Sequence, residues 1–199
     1  MKTILQLNTS LNGPSGLSSR LAGDFAAALA AEHGARIVVR DLAGQPVSHL
    51  TAGRFAAFGT PASDRTPEQQ RDVAESDVLI GELRSADVLV VGLPMYNFGV
   101  PSTFRAWFDH VARAGVTFRY TSDGPVGLLG GRKAYVFATR GGQYAGTAAD
   151  LQTAYVRQVL GFLGIREVEF VYAEGLAFGA EQRERAVASA TARIRELAA

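Results

Sequence analysis

Short apolar runs alternate with longer amphipathic stretches along this chain, and that alternation predicts its elements. Ile4 to Leu7 reads as a first strand, followed by a polar loop over 9–18 that contains glycine and proline. From Ser19 a helical period places Leu21, Phe25, Ala28 and Leu29 on one face as far as Gly34, with Ser18 as the expected N-cap. Ile37 to Val39 predicts a second strand closed by Asp41, and the less regular stretch 42–66 a short helix around Arg54 to Phe58. Thr66, Pro67 and Gln69 form a helix-start signature: a cap, a proline at the first helical position and the far half of a capping box. That helix carries Val73, Leu79, Ile80 and Leu83 to about Ser85.

Val88 to Val91 is wholly apolar, the pattern of a strand buried on both faces of a parallel sheet. It runs into Pro94, and a helix starting at Pro101 carries Phe104, Trp107, Phe108 and Val111 towards Gly115. Val116 to Tyr120 alternates, as an excursion with strand character, and Asp123-Gly124-Pro125 marks a turn. Ala134 to Ala138 predicts a fourth core strand, about 149–163 a helix stopped by Gly164, Val168 to Tyr172 a fifth strand, and Glu181 to Leu197 a terminal amphipathic helix. A regular alternation of strand and helix means a parallel sheet with helices on both faces and right-handed crossovers. No repeat, low-complexity tract or linker divides the sequence, so one domain is expected over residues 1–199.

Composition removes several chemistries. With 20 basic and 19 acidic residues, scattered, the net charge is +1, which argues against a dedicated nucleic-acid surface. The absence of cysteine excludes disulfides, thiolate metal sites and a thiol nucleophile. His33, His49 and His110 have no i,i+4 spacing, so no metal site is expected. No run approaches the roughly 18 apolar residues of a membrane span. The N-terminus enters a strand too directly for a signal peptide, and a cytoplasmic protein is expected.

Five strands leave two main doubly wound choices; the order 2-1-3-4-5 would put the topological switch between strands 1 and 3, where such sheets bind ligands. The loops 9–18 and 93–100 then flank one crevice, and the loop 139–148 lies on the other side of strand 3. The first loop carries Thr9, Ser10, Ser15, Ser18 and Ser19 and ends at a helix N-terminus, which favours a phosphate. Neither Gly-x-Gly-x-x-Gly nor Gly-x-x-x-x-Gly-Lys-Ser/Thr occurs. The second loop holds the aromatic-amide-aromatic cluster Tyr96, Asn97, Phe98. The third offers Thr139, Arg140, Gly141 and Gly142, whose backbone N–H groups can approach a planar ring edge. His110 reads as a structural or surface histidine, and no Gly-x-Ser-x-Gly elbow accompanies the serines.

The segments Pro94-Met-Tyr-Asn-Phe98, Ala112-Arg-Ala-Gly-Val-Thr-Phe-Arg-Tyr120, Thr139-Arg-Gly-Gly142 and Ala173-Glu-Gly175 resemble the FMN-dependent NADH-azoreductase/NADH:quinone oxidoreductase family, of flavodoxin-like fold. The resemblance runs over the whole chain, in order. It implies a five-stranded flavodoxin-like domain, tightly but non-covalently bound FMN, and a homodimer with active sites at the subunit interface. It implies two-electron reduction of quinones and aromatic azo compounds by NADH or NADPH, with ping-pong kinetics and no essential catalytic side chain. By position, Ser10, Gly16, Leu17 and Ser18 would hold the phosphate, with Gly16 where the family often has serine. Met95, Tyr96, Asn97 and Phe98 would run along the isoalloxazine, and Thr139, Arg140, Gly141 and Gly142 would line its pyrimidine side. Tyr144 stands where some relatives have histidine, and Phe98, Phe118, Tyr120 and Phe162 would form apolar substrate walls. A flavodoxin-type electron carrier without reductase activity is the competing reading, and the extra segment 116–130 suits an enzyme better.

Overall fold

The structure, a computed structural model, describes residues 1–198. Seven strands and six α-helices follow in the order β1 (Thr3–Asn8), α1 (Leu17–His33), β2 (Arg36–Asp41), α2 (Ala52–Gly59), α3 (Pro67–Ser85), β3 (Val88–Pro94), α4 (Ser102–Val111), β4 (Phe118–Thr121), β5 (Gly124–Gly127), β6 (Lys133–Thr139), α5 (Leu151–Phe162), β7 (Glu167–Ala173) and α6 (Ala180–Ala198). Five of the strands form an all-parallel sheet in the order β2-β1-β3-β6-β7, the flavodoxin-like order 2-1-3-4-5 expected from the sequence. β4 and β5 pair only with each other, as an antiparallel hairpin outside the sheet.

The two-residue period of each strand divides the core. Leu5, Leu7, Leu89, Val91, Leu93, Val136 and Ala138 face one layer, packed with Leu79, Ile80 and Leu83 of α3, Phe104 and Trp107 of α4, and Val156 and Leu160 of α5. Ile4, Val90, Tyr135, Phe137 and Val171 face the other, against Leu21, Phe25 and Leu29 of α1 and Ala190 and Ile194 of α6. Phe25 anchors that side, 4.5 Å from the Tyr135 ring and 5.3 Å from Phe137. Burying a side chain of that size contributes about 1.5–3 kcal/mol.

The capping box of α3 is complete, with Thr66 accepting from Gln69 N and Gln69 from Thr66 N. Three sequence expectations shift. α1 begins at Leu17 with Gly16 as its N-cap, so Ser18 lies inside the first turn and caps nothing. α4 ends at Val111, short of Gly115, because the Thr117 hydroxyl donates to Val111 O and accepts from Arg113 N, closing the helix end sideways. Gly124 and Pro125 belong to β5, the turn falling at Ser122 and Asp123.

Candidate functional site

The crevice between β1 and β3 is built on close backbone approach. Gly92, near the end of β3, faces the start of α1: a Cβ there would lie 2.8 Å from Ser18 O, so only glycine lets the helix start this near the strand. Thr9 seals the same junction, its N–H and hydroxyl both donating to Gly92 O at 3.2 and 2.8 Å. The α1 N-terminus has no side-chain cap. Ser18 and Ser19 are buried there, and neither hydroxyl has a hydrogen-bond partner. Uncapped N–H groups and an orphaned buried hydroxyl at one helix start are a donor set suited to an anion. Ser10 is buried beside it, its Oγ accepting from Asn12 N at 3.2 Å. The Ser10 side chain fills the space a residue 16 side chain would need, since a Cβ on Gly16 would lie 2.2 Å from Ser10 Oγ. Leu17 is half-buried at the same helix start.

Across the crevice, Met95 to Gly99 form a tight turn. Tyr96 and Gly99 exchange both backbone hydrogen bonds, at 3.2 and 3.0 Å, and Asn97 and Phe98 between them take φ of +50° and +64°. Two consecutive non-glycine residues with positive φ, the geometry of a type I′ turn, store backbone strain at the centre of the loop. The Tyr96 hydroxyl accepts from Leu11 N at 3.1 Å and ties this turn to the first loop. Phe98 is exposed and stands edge-on to Tyr144 at 5.8 Å, joining the second loop to the third.

The third loop is held from beneath. Thr139 is buried at the end of β6, where its carbonyl accepts from Met95 N at 2.9 Å. Gly141 and Gly142 accept from Ala177 N and Gly175 N, which fixes the loop against the segment after β7. The Tyr144 ring folds back over Gly142. The Arg140 side chain is fully enclosed instead of facing the crevice. It pairs with Asp150 at 2.9 Å and Glu174 at 3.0 Å, donates to Gln152 and Thr153, and lies 4.8 Å over the Tyr172 ring. Burial pushes the Asp150 carboxyl up, but hydrogen bonds from Thr153 and Arg140 outweigh it and hold the group below the ordinary carboxylate value. Glu174 also accepts from Tyr144 N and Ala145 N. Asp150, Gln152 and Glu174 carry this support and were not singled out as site residues from sequence. The Ala173-Glu174-Gly175 segment was the available signal for one of them.

Of the four aromatic wall candidates, one chain does not bring all together. Phe98 lies at the crevice. Phe118, Tyr120 and Phe162 cluster elsewhere, with Phe118 4.4 Å from Phe162 and 5.5 Å from Tyr120. α5 separates the two groups: Gln152, in its first turn, touches the Met95–Gly99 turn, and Phe162 ends it. Ten residues of helical rise span about 15 Å. Tyr120 is exposed on the hairpin. His110 is buried on α4, bonded through Nε2 to Ser48 O at 3.0 Å and distant in function from the crevice, as a structural histidine. No cluster of potential metal ligands occurs among the described residues, and no helix of the structure is long and apolar enough to cross a membrane.

A doubly wound sheet with an uncapped, serine-bearing helix start and an aromatic turn at its switch point defines the flavodoxin-like class, and the model of the flavodoxin-like fold family matches residues 2–198. Within that class the chain belongs to the FMN-dependent NADH:quinone oxidoreductase/azoreductase family. It is 50% identical over 197 residues to an FMN-dependent NADH:quinone oxidoreductase of Dechloromonas aromatica, covering 98% of this chain and 99% of that one. It is 49% identical over 191 residues to FMN-dependent NADH:quinone oxidoreductase 6 of Burkholderia lata, covering 96% of each. Among solved structures, an azoreductase from Bacillus anthracis superposes with a TM-score of 0.90 at 27% identity, over 100% of this chain and 99% of that one.

Proposed function

We propose that this chain is an FMN-dependent oxidoreductase that passes two electrons from NADH to quinones, and that aromatic azo compounds are reduced at the same site. The observation that carries the reading is the buried, unpartnered Ser18 hydroxyl at an uncapped helix start in the switch-point crevice. The donor set fits a phosphate monoester: hydroxyls and backbone N–H groups, with no lysine or arginine between Lys2 and Arg20. When bound, FMN supplies the two-electron chemistry between nicotinamide and acceptor.

The chain's residues bind and orient. The start of α1, with Ser18, Ser10 and the backbone of Gly16 and Leu17, holds the phosphate. The Met95–Phe98 turn and the backbone of Thr139 to Gly142 border the ring, with Tyr144 beside them. Arg140 contributes through its backbone position, because its guanidinium is spent on Asp150 and Glu174. No side chain is needed as acid or base, since water supplies protons at an open site. Donor and acceptor occupy the same place in turn, which gives ping-pong kinetics. Cleavage of an azo bond to two amines takes four electrons and four protons, hence two turns with NADH. The site is completed in a homodimer, in which the Phe118, Tyr120 and Phe162 cluster of one copy walls the Phe98 crevice of the other.

The test has three readouts. The purified protein takes up FMN, one equivalent of NADH reduces it without an acceptor, and continued NADH oxidation under anaerobic conditions requires a quinone or azo compound. Ser18→Ala leaves apoprotein stability unchanged, because the lost hydroxyl had no partner, and weakens FMN binding about tenfold. Sedimentation gives a dimer. A protein that shows no flavin spectrum after FMN addition is not this enzyme.

A further inference from the structure

We propose that Gln152 is a positioning residue for the Met95–Phe98 turn, a two-ended clamp whose orientation Arg140 sets. This inference rests on the reading of that turn as a flavin-bordering loop. Gln152 lies in the first turn of α5, with none of its surface exposed. Its Nε2 donates to Pro94 O at 2.9 Å and to Gly99 O at 3.2 Å. Those two carbonyls bracket the four residues Met95 to Phe98, so one amide group holds both ends of the turn. Its Oε1 accepts from Arg140 Nε at 3.2 Å. A guanidinium only donates and a backbone carbonyl only accepts, so the amide has one workable orientation. Arg140 cannot swing away, because Asp150, Thr153 and Glu174 occupy its terminal nitrogens.

The turn needs such a restraint. Asn97 and Phe98 are both held at positive φ, a conformation ordinary side chains disfavour, and a strained loop persists only where its surroundings fix it. The mutual bonds between Tyr96 and Gly99 close the turn but do not place it on the sheet. Met95 N, donating to Thr139 O, fixes only its first residue to the sheet; Gln152 fixes both ends, and takes its own direction from Arg140, immediately before Gly141. Gln152 thereby adds a side-chain link between the loops after β3 and β6, beside the Met95 N to Thr139 O bond and the Phe98–Tyr144 contact.

Two variants separate the parts of this device. Gln152→Met keeps the length of the side chain and removes every bond. Gln152→Glu keeps an acceptor for Arg140 and removes both donors. Val156→Ala, one turn further along α5 in the core, is the control for lost stability. Amide exchange at Tyr96 and Gly99 in the apoprotein and FMN dissociation constants are measured for all four proteins. Both Gln152 variants should exchange these two amides at least tenfold faster than Val156→Ala and raise the FMN dissociation constant by about tenfold or more. Val156→Ala should stay within about twofold of the parent in affinity. Gln152 variants that match the control in either measurement overturn the proposal. Wild-type protein that fails to bind FMN overturns the flavin reading and this inference with it. Tight wild-type binding with unchanged affinity in the Gln152 variants overturns the inference alone.

Discussion

At the scale of single residues, two positions carry consequences their side-chain chemistry does not advertise. Gly16 sits where the family often has serine, and here Ser10 occupies the space, with its Cβ 2.6 Å and its Oγ 2.2 Å from where a residue 16 Cβ would lie. Rotation of Ser10 cannot clear a clash with its own Cβ. Gly16→Ser should therefore cost roughly 1–3 kcal/mol in urea denaturation, as overpacking does. Adding Ser10→Gly should recover a large part of that loss, and strict additivity of the two changes would contradict the account. His110 is the second. Burial lowers its pKa from 6.5, a tendency that Ser48 O and the nearby carboxylates of Glu75 and Asp109 oppose. A base whose folded pKa lies below its unfolded one contributes stability that is intact above 6.5. As pH falls below that value the unfolded chain binds the proton first, and stability drops by at most about 1.4 kcal/mol per pH unit. Melting between pH 7.5 and 5 should show this limb in the parent, and His110→Gln should flatten it.

At the scale of elements, the Met95–Gly99 turn joins backbone strain to the proposed flavin site. Its middle residues sit at φ of +50° and +64°, so substitutions there report on backbone geometry before chemistry. Asn97→Gly keeps that geometry available and should leave FMN affinity within about twofold to threefold, with stability unchanged or raised by up to about 1 kcal/mol. Asn97→Pro demands φ near −65°, which the turn cannot offer, and should weaken FMN binding through collapse of the whole loop. Equal affinity in the two variants would show that the turn is not part of the site. The helices and strands around it were legible from apolar period alone, because burial repeats every second residue in a strand and every third or fourth in a helix. Thr66, Pro67 and Gln69 announced α3 without ambiguity. Ser18 misled, since a serine near a helix start reads as a cap, while the true cap is a glycine that period cannot detect. The turn itself was visible as an aromatic cluster, but nothing in Tyr-Asn-Phe marks left-handed backbone, which glycine usually signals.

At the scale of the whole molecule, strand count and crossover length gave a doubly wound parallel sheet but left two main strand orders, and the family resemblance pointed to the one observed. The place of β4 and β5 did not: the 116–130 excursion is a hairpin seated at the far end of α5, where Leu129 N donates to Leu163 O at 2.9 Å. Sequence placed Phe118, Tyr120 and Phe162 with Phe98 as a wall. Three dimensions put a helix length between them, a separation that only packing reveals. The buried Arg140 support was illegible for a related reason, since Arg140 follows β6, Asp150 and Gln152 open α5 and Glu174 follows β7, three places that share no period. That cluster also has a charge sum. One arginine is enclosed with two carboxylates, so beneath the ring-bordering loop the balance is −1, although the chain as a whole is +1. Adding electrons to a flavin places negative charge on its ring system, and a fixed negative neighbour opposes that. With FMN placed as proposed, the cage that steadies the loop should also hold the FMN midpoint potential down and make the loaded protein the stronger reductant. Glu174→Gln, read by spectroelectrochemical titration, should move that potential positive by on the order of tens of millivolts.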